Sequence, residues 1–274
     1  MMTFVAGVGR RHRKRGKEAL RIVQTEEWRD LISRAENARP QSIQAHSYRN
    51  KRWETASKPV VLGCYDGRDY VVKGRNAGRA IVNEQIVGTL GTAIAAPVGE
   101  IQLIDIPAEL VQSQPELSFL MPGLAHGSHL VPDCSERAWI ANVDLPDNRD
   151  RFALLALLYG LVKANDHQLI YRTNCPELAY SVDHGHFFPN GPNWTVDSLK
   201  AEGPPVPDVQ LVGQAKLLRE ELVSVADRLI SLDHKGIARA VAVPPAEWGI
   251  SVDERIALAE YLHRRAGQLR QSLQ

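Results

Sequence analysis

The sequence predicts an α+β protein of two lobes, a small β-rich lobe followed by a mainly helical one. Three observations predict it. The β-rich runs Pro59-Val60-Val61-Leu62 and Tyr70-Val71-Val72 flank Asp66-Gly67, a strong local hairpin signal. The stretch from Arg149 to Lys163 is almost solidly apolar, as a helix greasy on all sides must be inside a core. Two amphipathic stripes at helical spacing, Leu211 to Leu229 and Ile256 to Leu273, finish the chain. With 274 residues, 44% of them hydrophobic, the chain can bury a substantial core.

Taken in order, residues 1–39 read as a basic tail and a helix over 18–38, with apolar positions such as Leu20, Trp28, Leu31 and Ile32 recurring at helix-compatible spacing. Residues 40–123 form the first lobe: the hairpin, a helix over 77–93 stopped before Pro97, and a strand at Ile101-Gln102-Leu103-Ile104. Phe119-Leu120-Met121 reads as the last strand before a hinge. Strand, strand, helix, strand is the layout of a small nucleotide-clamping lobe. Residues 124–274 form the second lobe, with an extended loop over 186–210, rich in Pro, Gly and Asn, and the two long helices after it.

The formal net charge of +1 carries no global bias toward nucleic acid or membrane. The run Arg10-Arg11-His12-Arg13-Lys14-Arg15-Gly16-Lys17 is locally basic, either a nucleic-acid contact or a solvated tail. Three widely spaced cysteines, Cys64, Cys134 and Cys175, make neither a disulfide framework nor a metal pattern, which points to a reducing cytoplasm. No apolar run approaches the roughly 20 residues that cross a bilayer.

The chemistry concentrates at four places. Lys73 closes an apolar strand, and an ammonium there needs a carboxylate partner; Glu84, in the following helix, is the candidate. Asp166 follows the buried helix in Asn165-Asp166-His167-Gln168, where it either handles a hydroxyl proton or caps a turn. Asp183 ends the strand-like Ala179-Tyr180-Ser181-Val182, and an aspartate at such a place suits Mg²⁺. A lysine for phosphate oxygens, an aspartate near the acceptor and an aspartate for magnesium are what a nucleotide-dependent phosphotransferase needs. The competing reading gathers His167, His184 and His186 with the aspartates into the zinc or iron site of a hydrolase.

Asp69-Tyr70-Val71-Val72-Lys73-Gly74, Ala80-Ile81-Val82-Asn83-Glu84 and Tyr180-Ser181-Val182-Asp183-His184-Gly185-His186-Phe187-Phe188 together resemble the HipA-like kinases. The resemblance spans residues 40–195 and implies the two-lobed protein-kinase-like fold, ATP and Mg²⁺, and a hydroxyl acceptor, a protein serine or threonine by analogy. It makes Lys73 the phosphate lysine, Glu84 its partner, Asp166 the catalytic base and Asp183 the metal ligand. It lays Lys51 to Lys58 over the phosphates and adenine along 119–130. The chain departs from the family at the catalytic loop. Tyr171 stands where relatives carry a metal-binding asparagine, so Gln168 or Asn174 must replace it; with neither in reach, the chain is a nucleotide-binding pseudokinase.

Overall fold

The computed structural model describes residues 23–136 and 140–274. The basic run at 10–17 and the first part of the helix expected over 18–38 lie outside the described residues. Five strands close a barrel: β1 (Ile43–Arg52), β2 (Val60–Cys64), β3 (Asp69–Lys73), β4 (Ile101–Ile106) and β5 (Gly123–His129). Their order is β1-β2-β3-β5-β4, antiparallel throughout except where β1 meets β4 and closes the ring. The β2–β3 hairpin turns at Asp66-Gly67 as expected, with Gly67 at φ +80° and the Arg68 amide donating to Asp66 Oδ1. Val60, Leu62, Val72, Ile104 and Ala125 fill the barrel on alternating positions.

Two helices that precede or interrupt the barrel in sequence pack elsewhere. α1 (Thr25–Asn37) lies on the C-terminal helices, with Trp28 and Ile32 buried there. α2 (Ala80–Ala93) is buried on nearly every side, and its Ile81, Ile86, Val87 and Leu90 join the larger core rather than the barrel's own. That core surrounds α4 (Pro146–Val162), whose Phe152, Leu155, Leu157 and Leu158 are fully buried; Pro146 starts it, where no amide partner is needed, and Lys163 ends it in a left-handed turn. β6 (Cys134–Glu136), ahead of α4 in the chain, joins β7 (Gln168–Arg172) and β8 (Ala179–Val182), which follow it, in a small antiparallel sheet.

The sequence reading needs correcting at several places. Phe119-Leu120-Met121 is not a strand: a 3₁₀ turn at Pro115–Leu117 sets Leu117 and Leu120 three residues apart, so both plug the barrel end. That turn follows the short α3 (Ala108–Ser113), and the last barrel strand is β5, past the boundary drawn at 123. The loop expected over 186–210 contains α5 (Val196–Ala201), started by a reciprocal cap between Thr195 and Ser198. The single helix expected over 211–229 is α6 (Val209–Gln214), α7 (Arg219–Ala226) and a 3₁₀ turn at Asp227–Ser231; Lys216 at φ +49° breaks the helix between α6 and α7. α8 (His234–Ala242), capped by Asp233, and α9 (Val252–Leu273), capped by Ser251 and Glu254, complete the lobe.

Candidate active site

A cleft of about 700 Å³ opens between the barrel and the β7–β8 hairpin. Lys73 projects into it from the end of β3. Its Nζ lies 2.5 Å from Glu84 Oε1, on α2, and 2.7 Å from Asp183 Oδ1, just after β8. Lys73 and Glu84 are 6% and 4% exposed, so the pair is desolvated and must be matched. Glu84 uses its other oxygen to accept the His184 amide at 3.0 Å. The ammonium is thus shared by two carboxylates, which leaves one negative charge in surplus at the cleft wall.

The surplus appears in the protonation equilibria. Burial pushes Glu84 upward, but Lys73, by its charge and its hydrogen bond, together with His126 and His184, outweighs it and holds the carboxyl well below the usual range. Burial and the neighbouring Glu84 carboxylate raise Asp183 above its ordinary value, against the pull of Lys73. Burial disfavours charge on Lys73, yet Glu84 and Asp183 raise it, so the ammonium stays protonated at neutral pH. His126 sits opposite Lys73 in the β3–β5 register, and its Nδ1 is 2.8 Å from Gln85 Oε1. Burial pulls His126 and His184 down to about 4, outweighing the opposite pull of Glu84, so both are neutral at pH 7.

The segment Asp183-His184-Gly185-His186 is fixed by its neighbours. Asp183 adopts a left-handed backbone at φ +57°, a costly conformation for a non-glycine residue that the surroundings must impose. His184 Nε2 is 2.8 Å from Ser181 Oγ, which is 2.6 Å from the Tyr159 hydroxyl on α4. Asn83, fully buried beside Glu84, donates to the carbonyls of Gly185 and Phe187 and accepts from Trp194 Nε1. Neither Asn83 nor Tyr159 stood out in the sequence. The available signal was a phenol inside the apolar run Phe152 to Val162 and an amide between Val82 and Glu84, because a buried polar group needs partners.

Asp166 stands apart. It is exposed, at φ +55°, and lines a second cavity of about 690 Å³ on the other side of its loop, with Tyr159, Lys163, Glu202 and Asp208. His167 lines both cavities; it stacks on Tyr159 at 4.7 Å between ring centres, and its Nε2 is 3.5 Å from Asp208 Oδ2. Asn165 holds this loop in place by donating to the carbonyls of His186 and Phe188.

Among the replacements for the missing asparagine, the structure separates two. Gln168 lines the cleft and pairs across the β7–β8 register with Val182, next to Asp183. Asn174 lies in the turn at the far end of that hairpin, about 13 Å along a five-residue strand, which puts it out of reach. Tyr171 is buried, and its hydroxyl accepts the Ala141 amide. Magnesium takes oxygen ligands, commonly one or two carboxylates with phosphates and water. Asp183, the Gln168 amide and the surplus negative charge fit such a cation. The zinc or iron site does not form: among the described residues no group of three or more His, Cys, Asp or Glu is arranged to hold a metal ion. No helix of the described residues is long and apolar enough to cross a membrane.

The segments Lys51, Trp53 and Thr55 line the cleft at its β1–β2 end, and His126, Ser128, His129 and Leu130 line it along β5. Val131, Cys134 and Glu136 continue that lining, so it runs past the 119–130 segment implied for adenine. The Helicobacter pylori proinflammatory kinase CtkA has a similar structure, with a TM-score of 0.57 at 11% identity over 85% of this chain and 96% of that one. The Golgi casein kinase is more distant, at TM-scores of 0.41 and, for its form with Mn/ADP bound, 0.43; identities are 10% and 11%, and both cover 91% of this chain and 77% of the other. No curated protein sequence matches the chain. Residues 48–186, just over half of the chain, match the HipA-like kinase family and contain Lys73, Glu84, Asp166 and Asp183. The chain belongs to the HipA-like kinase family.

Proposed function

We propose that the protein transfers the γ-phosphoryl group of ATP to a hydroxyl, in a Mg²⁺-dependent reaction. The observation that carries this reading is the Lys73 ammonium held between Glu84 and Asp183 on the wall of a cleft large enough for a nucleotide. Lys73 neutralises phosphate oxygens, and Glu84 fixes its position. Asp183 and Gln168 hold the metal, which when bound screens charge on the phosphates. Asp166 accepts the proton as the acceptor oxygen attacks the γ-phosphorus; the bond to the β–γ bridging oxygen breaks, and ADP leaves. A protein serine or threonine is the acceptor that the family suggests, and the three free cysteines suit a reducing cytoplasm.

A second reading, a nucleotide-binding pseudokinase, is favoured by one observation: Tyr171 is buried where relatives present an asparagine. Thermal denaturation with and without ATP–Mg²⁺, beside a radiolabelled transfer assay, tests both. ATP–Mg²⁺ at a hundred times its Kd adds about 2.7 kcal/mol of stability. Stabilisation with transfer supports the kinase, stabilisation without transfer supports the pseudokinase, and no stabilisation overturns both.

A further inference from the structure

The second cavity has no part in nucleotide binding as described above, yet it contains Asp166 and meets the nucleotide cleft at His167. Its volume, about 690 Å³, falls inside the range of roughly 300–1,000 Å³ typical of small-ligand sites. Its walls are α4, the 202–210 segment and α9. Gly160 is what allows the close approach of the first two, since a Cβ there would lie 2.0 Å from the Val206 carbonyl oxygen. Val206 and Val209, 57% and 70% exposed, leave apolar surface uncovered beside it.

The charges in this cavity are unequal in what they can offer a ligand. Arg265 lines it, but its guanidinium already donates to the carbonyls of Leu161, Gly203 and Gly160 at 2.7, 2.6 and 2.8 Å. It is structural and buried. Lys163 is half exposed, 3.4 Å from Glu202. Against these two cations stand the carboxylates of Asp166, Glu202 and Asp208, of which Asp208 also caps α6 by accepting the Leu211 amide, so one negative charge is in surplus. A site with this balance disfavours an anionic occupant and attracts a cation.

Resting on the phosphotransferase reading, we infer that this cavity receives the acceptor, and that the acceptor carries an ammonium group as well as its hydroxyl. The ammonium displaces Lys163 from Glu202, while the hydroxyl reaches Asp166. Its oxygen bonds to the γ-phosphorus of ATP, its proton passes to the Asp166 carboxylate, and ADP departs. An amino sugar and a basic residue beside a peptide serine share this chemistry.

Isothermal titration on the full chain with Mg²⁺ and a non-hydrolysable ATP analogue present decides it, using two matched pairs: glucosamine against glucose, and a serine pentapeptide flanked by lysines against the same peptide flanked by glutamines. The ammonium member of one pair should bind about tenfold tighter, as a charge-assisted hydrogen bond gives. The pair that shows the preference identifies the source. Glu202→Gln should abolish the preference. Lys163→Asn, which keeps a residue suited to the left-handed turn, should enlarge it by removing the competitor. Equal binding within both pairs, no binding by any probe, or a preference indifferent to both substitutions overturns the inference. The thermal gain with ATP–Mg²⁺ reports separately on the kinase reading: a gain without ammonium preference sinks only the acceptor assignment.

Discussion

On the wall of the cleft between the barrel and the β7–β8 hairpin, Lys73, Glu84 and His184 are buried and joined to Asp183 by contacts of 2.5 to 3.0 Å. Across the β7–β8 hairpin, Asp166 is exposed on a left-handed turn and faces a different cavity. The first arrangement is organised before any ligand arrives; the second leaves its carboxylate accessible to whatever enters. A group that must hold a fixed charge against a triphosphate gains from rigidity and low dielectric. A group that must meet an incoming hydroxyl needs access. If that contrast is right, perturbing the cleft wall costs folding free energy, and perturbing Asp166 costs turnover alone.

Acid is the strongest perturbation of the cleft wall. His126 and His184 are neutral in the folded protein, with pKa values of about 4, and titrate near 6.5 when unfolded. Between those values the unfolded chain binds more protons than the folded one, so stability is present above pH 6.5 and is lost as pH falls toward 4. Each histidine contributes a loss of about 3 kcal/mol over that window. Asp183, raised by burial, has the opposite sign and offsets part of it, because the folded state takes up its proton first. Urea midpoints from pH 7 to 4 should fall steeply, and His184→Gln should remove about half of the slope. A flat profile would mean that the wall is wetter than the structure shows.

Lys73→Met comes next. It leaves Glu84 buried with no cation, and uncompensated buried charge costs about 4 kcal/mol in such cases. The same variant should lose the thermal gain given by ATP–Mg²⁺. A variant as stable as the parent would show that the ammonium does not hold the two carboxylates together in solution.

Tyr159→Phe tests whether the two regions are joined. The Tyr159 ring stacks on His167 beside the second cavity, while its hydroxyl reaches Ser181 and, through it, His184. The phenylalanine keeps the stack and removes one buried hydrogen bond, at a cost of about 1–2 kcal/mol by urea denaturation. Because His184 is held by that chain, KM for ATP should rise as well. A change in stability without a change in KM would confine Tyr159 to packing.

How much of this was legible in the sequence depends on how local the determinant was. The β2–β3 hairpin, α4 and α9 follow from turn chemistry and apolar periodicity, which neighbours in sequence supply. Lys73 with Glu84 was legible because a strand-end ammonium needs a carboxylate nearby. β5 was not: Gly123-Leu124-Ala125-His126-Gly127-Ser128-His129 carries no β-branched residue, and it is a strand because β3 and β4 present open edges on either side. The break in the stripe at Lys216 was equally hidden, since Leu211, Ala215, Leu218 and Leu222 keep helical spacing across it. Asp166 was found as a residue, but its separation from the Lys73 cleft depends on which way a left-handed turn faces. No periodicity encodes that.

Asp166→Asn carries the smallest expected change in stability and decides the comparison. The position is exposed and the two side chains are nearly isosteric, and asparagine tolerates the left-handed backbone that Asp166 adopts. The urea midpoint should therefore correspond to a change within about 0.5 kcal/mol. ATP–Mg²⁺ should stabilise the variant and the parent equally, since Asp166 does not line the cleft that contains Lys73. Transfer, by contrast, should fall by about a hundredfold or more, because the amide cannot accept the acceptor's proton. If the variant instead loses nucleotide affinity along with turnover, the two cavities act as one site, and the division between a rigid nucleotide wall and an accessible acceptor loop fails.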